Sequence, residues 1–201
     1  MMADHHSILV QHACLPLCET ASTFSELLLI DKLMGNNPSP ELKRDLLFTG
    51  IDDAYATIIR QTYFAQFEID AHEAIEQGAT ADELSELYLE NLKEQFGDSV
   101  ELSDNFKYEW VAIPHFFNTP FYVYAYSFGQ LLAFSLYSQY QQEGKEMIPR
   151  YVDLLAAGGA ESPVDILKKA GFDPYSADFW QGGFDLIIEQ IEELEAMPVD
   201  N

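Results

Sequence analysis

Apolar residues recur at helical spacing along most of the chain. Between Thr20 and Met34, the positions Phe24, Leu27, Leu28 and Ile30 predict a buried helix, which Gly35-Asn36-Asn37-Pro38 ends. Ser39-Pro40-Glu41 opens the next helix with proline in its first turn. Leu47, Ile51, Ala54, Ile58, Thr62 and Ala65 continue one face of it to about Gln77, where Gly78 stops it. Thr80-Ala81-Asp82-Glu83 has a capping-box pattern and opens a helix to about Phe96, with Leu84, Leu87 and Leu92 inward. Residues 1–18 read as the tail of a helix and then a loop bounded by Pro16, and residues 97–117 as irregular chain with room for one short strand. Pro120 opens a long helix to about Gln142, and Gly144 breaks it. Shorter helices follow over Lys145–Ala157, from Ser162-Pro163 to Gly171, and over Ser176–Met197, with Gly158-Gly159 as a turn. No repeat or linker interrupts the pattern. The expected fold class is all-α, with residues 1–201 forming a single helical unit.

Composition narrows the partners more than the fold. With 201 residues, 48% of them apolar, the chain can bury a sizeable core. Ten basic residues against 34 acidic ones give a formal net charge of −24, whereas nucleic acid and anionic membrane both call for basic surface. Neither is expected as a partner. Much of the acid falls on solvated helix faces, including Glu189, Glu192, Glu193 and Glu195. No run is long and apolar enough to span a bilayer, and the N-terminus lacks the basic and apolar regions of a signal peptide, so the cytoplasm is the expected location. The start, Met1-Met2-Ala3-Asp4-His5-His6, enters patterned sequence without a helix cap and reads like the middle of something.

Three groups of residues carry candidate chemistry. Cys14 and Cys18 lie four apart, an awkward spacing for a disulfide, and are expected as free, small buried hydrophobes. With His5, His6 and His12 they offer metal-binding atoms, but in no recognised zinc spacing. Glu26 sits among small and apolar residues, where a carboxylate is costly to bury unless paired or bound to metal. Glu19 and Ser22 stand seven and four positions before it and could orient it; a partly exposed Glu on a helix edge explains the same pattern. His115 lies between Pro114 and Pro120, which stiffen its segment. Tyr122, Tyr124 and Tyr126 follow at every second position; on a helix Tyr122 and Tyr126 share a face and Tyr124 does not, unless the helix starts late. An imidazole N–H and a phenol O–H suit an oxyanion that develops in acyl transfer. A core helix with amphipathic tyrosines at a groove accounts for the pattern equally.

Together, Glu19-Thr20-Ala21-Ser22-Thr23-Phe24-Ser25-Glu26 and Ile113-Pro114-His115-Phe116 through Gly129 resemble the thimet oligopeptidase and oligoendopeptidase F family of zinc metallopeptidases, on its oligoendopeptidase F branch. Leu15-Pro16-Leu17, Arg60 through Glu68, Leu155-Ala156-Ala157-Gly158-Gly159 with Ser162-Pro163, and Phe179-Trp180 support the likeness, which covers essentially the whole chain. The resemblance implies the C-terminal portion of a zincin-type catalytic domain, cleaving short peptides. In such enzymes two histidines of a His-Glu-x-x-His helix and a later glutamate hold zinc, and the glutamate between the histidines is the general base. The resemblance places the later glutamate at Glu26. It gives the oxyanion- and substrate-binding roles to His115 and to Tyr122 or Tyr124, with Tyr126 the weaker candidate.

No His-Glu-x-x-His occurs in these 201 residues, and in relatives that motif would lie just upstream of Met1. The chain as given is therefore expected to bind zinc weakly or not at all and to hydrolyse no peptide. Self-association is expected through the groove around Tyr122 and Phe128, left uncovered by the missing part. The alternative from another class is a non-catalytic acidic helical module that binds peptides or a protein. A stand-alone metal-binding protein using His12, Cys14 and Cys18 comes third.

Overall fold

Helices carry almost all the regular structure of the computed structural model, which describes residues 3–198. In chain order they are α1 (Leu15–Cys18), α2 (Thr20–Gly35), α3 (Pro40–Ala54), α4 (Arg60–Glu76), α5 (Ala81–Phe96), α6 (His115–Asn118), α7 (Tyr124–Glu143), α8 (Ile148–Ala156), α9 (Pro163–Lys169) and α10 (Ala177–Glu195). A π-helical turn, Tyr55–Ile59, separates α3 from α4, and 3-10 segments cover Asp104–Ala112 and Gly144–Met147. No strand occurs among the described residues, so the fold is all-α. The chain forms two compact units, residues 55–127 and residues 1–54 together with 128–201.

Several boundaries differ from the sequence pattern. The helix expected from Ser39 to Gln77 is interrupted by the π-helical turn, and 97–117 hold a 3-10 segment and the one-turn α6 instead of a strand. The N-terminal stretch, described from residue 3, is a succession of turns and not a helix tail. α7 begins at Tyr124, four residues after Pro120. The Thr80 box is formed as expected: the Thr80 hydroxyl accepts from the Glu83 N–H, and the Glu83 carboxylate accepts from the Thr80 N–H. Such a cap is worth about 1 kcal/mol.

The 55–127 unit is built on a cluster of rings and aliphatic side chains. Phe64, Phe67 and Ala71 of α4 meet Leu84, Tyr88 and Leu92 of α5, and Val123 closes the cluster from the chain just before α7. The inward positions of α4 recur three and four apart, which is why this helix buries one stripe. Tyr88 is wholly buried, and its hydroxyl donates to Glu109, whose other oxygen takes a charged hydrogen bond from Arg60 at 2.5 Å. Burial, and then the Glu109 carboxylate, push the Tyr88 phenol well above its ordinary range. The 3-10 segment is thereby tied to α4 and α5, and it leads directly into α6.

In the other unit, α3 packs on α10, and the middle of α7 supplies Leu132, Ala133, Phe134, Leu136 and Tyr137 to the core. Gly158 and Gly159 press on the backbone of residues 10–12, and a Cβ on Gly159 would stand 2.3 Å from the His12 carbonyl oxygen. Only glycine fits there. Tyr151 stacks on Phe24 with ring centroids 4.2 Å apart, and its hydroxyl is buried without a hydrogen bond among the described residues. Burial pushes the Tyr151 phenol up to about 12; burial, and then Asp31, do the same for Tyr137. In the unfolded chain both phenols ionise near their ordinary value of 10.0, so the unfolded state loses protons first as the pH rises. The stability they contribute is complete below about pH 10 and is lost progressively towards pH 12. A melting temperature that holds up to about pH 9 and then falls is the expected result of thermal unfolding across that range.

Candidate functional site

The residues around His115 are set by local chemistry at both ends of a short loop. Pro114 caps the one-turn α6, and residues 119–123 then run without helix before α7 begins. At the start of α7 the Ser127 hydroxyl lies 3.2 Å from the Thr57 carbonyl oxygen and 3.1 Å from that of Ile58, both in the π-helical turn. Such turns free carbonyls from their normal helical partners, and Ser127 uses these to anchor the first turn of α7 to the π-helical turn.

α7 starts at Tyr124, so Tyr122 precedes it and Tyr126 lies in its first turn. The Tyr122 ring stacks on His115, with centroids 5.7 Å apart and planes within 20°. Tyr126 meets the same imidazole edge-on, and its hydroxyl lies 3.2 Å from Nε2 of His115. Tyr122 and Tyr126 complete the triangle at 5.1 Å. Tyr124 is half exposed and stands outside this group. The structure thus brings together His115, Tyr122 and Tyr126. Tyr126, the weaker candidate by the resemblance, is the one hydrogen-bonded to the histidine.

The carboxylates of α2 are a separate matter, within the other unit. Glu26 is exposed on the second turn of α2. Glu19, at the N-cap, has a donor beside it: the Ser22 hydroxyl lies 2.9 Å from its backbone carbonyl oxygen and 3.2 Å from its Oε2, and its one proton can serve either. Its Cβ lies 3.8 Å from where a Gly129 Cβ would stand, so α7 passes close beside it. The sequence reading had Glu19 only as an orienting group.

The cysteine expectation is corrected in part. Both thiols are free, but Cys18 is exposed and Cys14 only half buried, because α1 is a single surface turn. Partial burial raises both thiols above their ordinary pKa. His5 and His6 lie ring to ring at 4.0 Å, and His12 is exposed. Among the described residues no three His, Cys, Asp or Glu side chains are grouped so that they could hold a metal ion. Zinc takes three protein ligands or more, so the residues present do not by themselves fit it. No helix among the described residues is long and apolar enough to cross a membrane.

Comparison with known proteins gives the arrangement a family. The chain is 34% identical over 183 residues to oligopeptidase PepF of Bacillus subtilis, covering 90% of this chain and 27% of that protein. It superposes on the crystal structure of oligoendopeptidase-F from Enterococcus faecium with a TM-score of 0.79 at 28% identity, covering 98% of this chain and 36% of that one. A crystal structure from Chlamydophila abortus gives a TM-score of 0.89 at 32% identity, with 98% of this chain and 33% of the other covered. The chain thus spans about a quarter to a third of the length of these proteins. With the sequence model of Peptidase family M3 matching residues 5–186, the chain belongs to that family, on its oligoendopeptidase F branch.

Proposed function

We propose that this chain supplies the oxyanion- and substrate-binding part of a zinc-dependent oligoendopeptidase that cleaves short peptides in the cytoplasm. The observation that carries the reading is the Tyr126 hydroxyl lying 3.2 Å from His115 Nε2, with Tyr122 stacked on the imidazole. In the tautomer that carries its proton on Nε2, His115 donates to the Tyr126 oxygen, and the two groups polarise one another. A peptide carbonyl oxygen placed against that hydroxyl gains most as it becomes an oxyanion, and this is how such donors lower a barrier. Tyr122 covers one face of the ring and holds its plane. Tyr124 lies outside this arrangement and has no role at the reacting carbonyl.

The chain's contribution to metal binding is a single carboxylate from the start of α2. The resemblance names Glu26. The Ser22 hydroxyl within reach of its Oε2 favours Glu19 instead, since a ligand carboxylate is ordinarily steadied by a neighbouring donor. The rest of the ligand set and the general base are groups these residues do not include, so the chain alone hydrolyses no peptide.

The test has two arms. The purified 201-residue chain is expected to carry substoichiometric zinc and to show no chelator-sensitive peptide hydrolysis. Joined in frame behind the corresponding preceding segment of the Bacillus subtilis relative, it is expected to retain zinc and cleave short peptides. There Glu19→Gln should lose the metal and Glu26→Gln should keep it. Stoichiometric zinc with chelator-sensitive activity in the unextended chain would overturn the proposal. Peptide binding without hydrolysis in both arms would favour the binding module. Light scattering on the same sample checks for self-association.

A further inference from the structure

Glu68 is the most deeply buried charged side chain among the described residues, at 3% exposure. It sits in the middle of α4, flanked by the core ring Phe67, where an unpaired carboxylate is expensive. Its Oε1 accepts one hydrogen bond, 2.7 Å long, from the backbone N–H of Phe121. Its Oε2 is buried and accepts none among the described residues. Core packing alone would be better served by an apolar side chain at this position.

The group at the other end of that bond explains what the carboxylate is for. Phe121 has φ of +59°, a left-handed conformation that a side chain this large rarely adopts. Such strain persists only where the surroundings enforce it, and it gathers at functional sites. Two successive turns of α4 enforce it here. Glu68 holds the Phe121 backbone, and His72, four residues on, meets the Phe121 ring with centroids 4.8 Å apart. The next residue is Tyr122. The left-handed turn at Phe121 takes the chain out of the helix that Pro120 would otherwise begin, and so places the Tyr122 ring flat on His115 while Val123 enters the core.

We infer that Glu68 is the positioning residue of the His115–Tyr122–Tyr126 group, acting through the Phe121 N–H to hold the turn that sets Tyr122 against the imidazole. Its catalytic meaning rests on the proposed function, while the geometric claim is testable without activity. In the 201-residue chain, hydrogen exchange of the Phe121 amide and the imidazole nitrogen signals of His115 report the two ends of the link. The wild-type amide is expected to exchange at least ~100-fold more slowly than in an unstructured peptide, since its partner is buried. Glu68→Gln keeps an acceptor oxygen and should preserve both readouts. Glu68→Leu removes the acceptor while filling the space; it should release the Phe121 amide and shift the His115 signals towards those of a free imidazole, with helical circular dichroism retained.

An unprotected Phe121 amide in the wild type would overturn the inference, and that measurement does not depend on any variant folding. So would a Glu68→Leu chain that melts earlier but leaves the His115 signals unmoved, because the role would then be structural only. Loss of the His115 signature in Glu68→Gln with the Phe121 amide still protected would overturn it as well. Failure of the extended chain to cleave peptides would sink the proposed function and leave these signals unchanged.

Discussion

Phe67→Ala is expected to destabilise the 55–127 unit by about 3–5 kcal/mol, the cost of removing a buried phenyl ring and leaving its cavity. Phe67 is 2% exposed, and its ring meets Tyr88 at 4.8 Å, Phe116 at 5.4 Å and Trp110 at 6.1 Å. These neighbours come from α5, α6 and the 3-10 segment, so the surroundings cannot collapse into the space without moving several elements. Phe116 adjoins His115 in sequence. The variant should therefore disturb the His115 signals before it unfolds globally. Chemical denaturation followed by tyrosine and tryptophan fluorescence gives the size of the loss, and a loss below about 1 kcal/mol would mean the ring is far less tightly enclosed than the contacts indicate.

Tyr126→Phe carries the second large effect. In the zinc-retaining extended chain it should lower kcat by about 10²–10³, the usual loss when one oxyanion donor is removed, with KM little changed. Tyr124→Phe should leave both constants within about twofold, because that hydroxyl stands outside the group around His115. Steady-state kinetics on a fluorogenic peptide distinguishes the two. Equal losses from both changes, or a larger loss from Tyr124→Phe, would remove Tyr126 from the role assigned to it.

What sequence reading recovered was local. The Thr80 capping box depends on atoms within one turn, and its chemistry is complete in four residues. The end of α2 at Gly35 and the start of α9 at Pro163, behind its Ser162 cap, are of the same kind. What it missed depends on distant partners. Pro120 is a fitting first-turn residue for a helix, yet a carboxylate 53 positions earlier takes the Phe121 N–H and delays α7 to Tyr124. Helical spacing alone pairs Tyr122 with Tyr126; it is the family resemblance that ranks Tyr124 above Tyr126. The π-helical turn at Tyr55–Ile59 adds its extra residue without disturbing the apolar recurrence enough to show in the sequence. Glu19 and Glu26 were both visible as acids, but only the Ser22 hydroxyl beside Glu19 separates them.

The division of the chain has a consequence for its biogenesis. Residues 55–127 are continuous, so this unit can complete its contacts as soon as it leaves the ribosome. The other unit cannot, because α3 packs on α10 and residues 55–176 lie between them in sequence. Closing so long a loop is a slow, late event, while the entropic cost grows only gradually with length. Until α10 emerges, the apolar face of α3 is left waiting, and this is the interval in which a holding chaperone would matter most to the nascent protein.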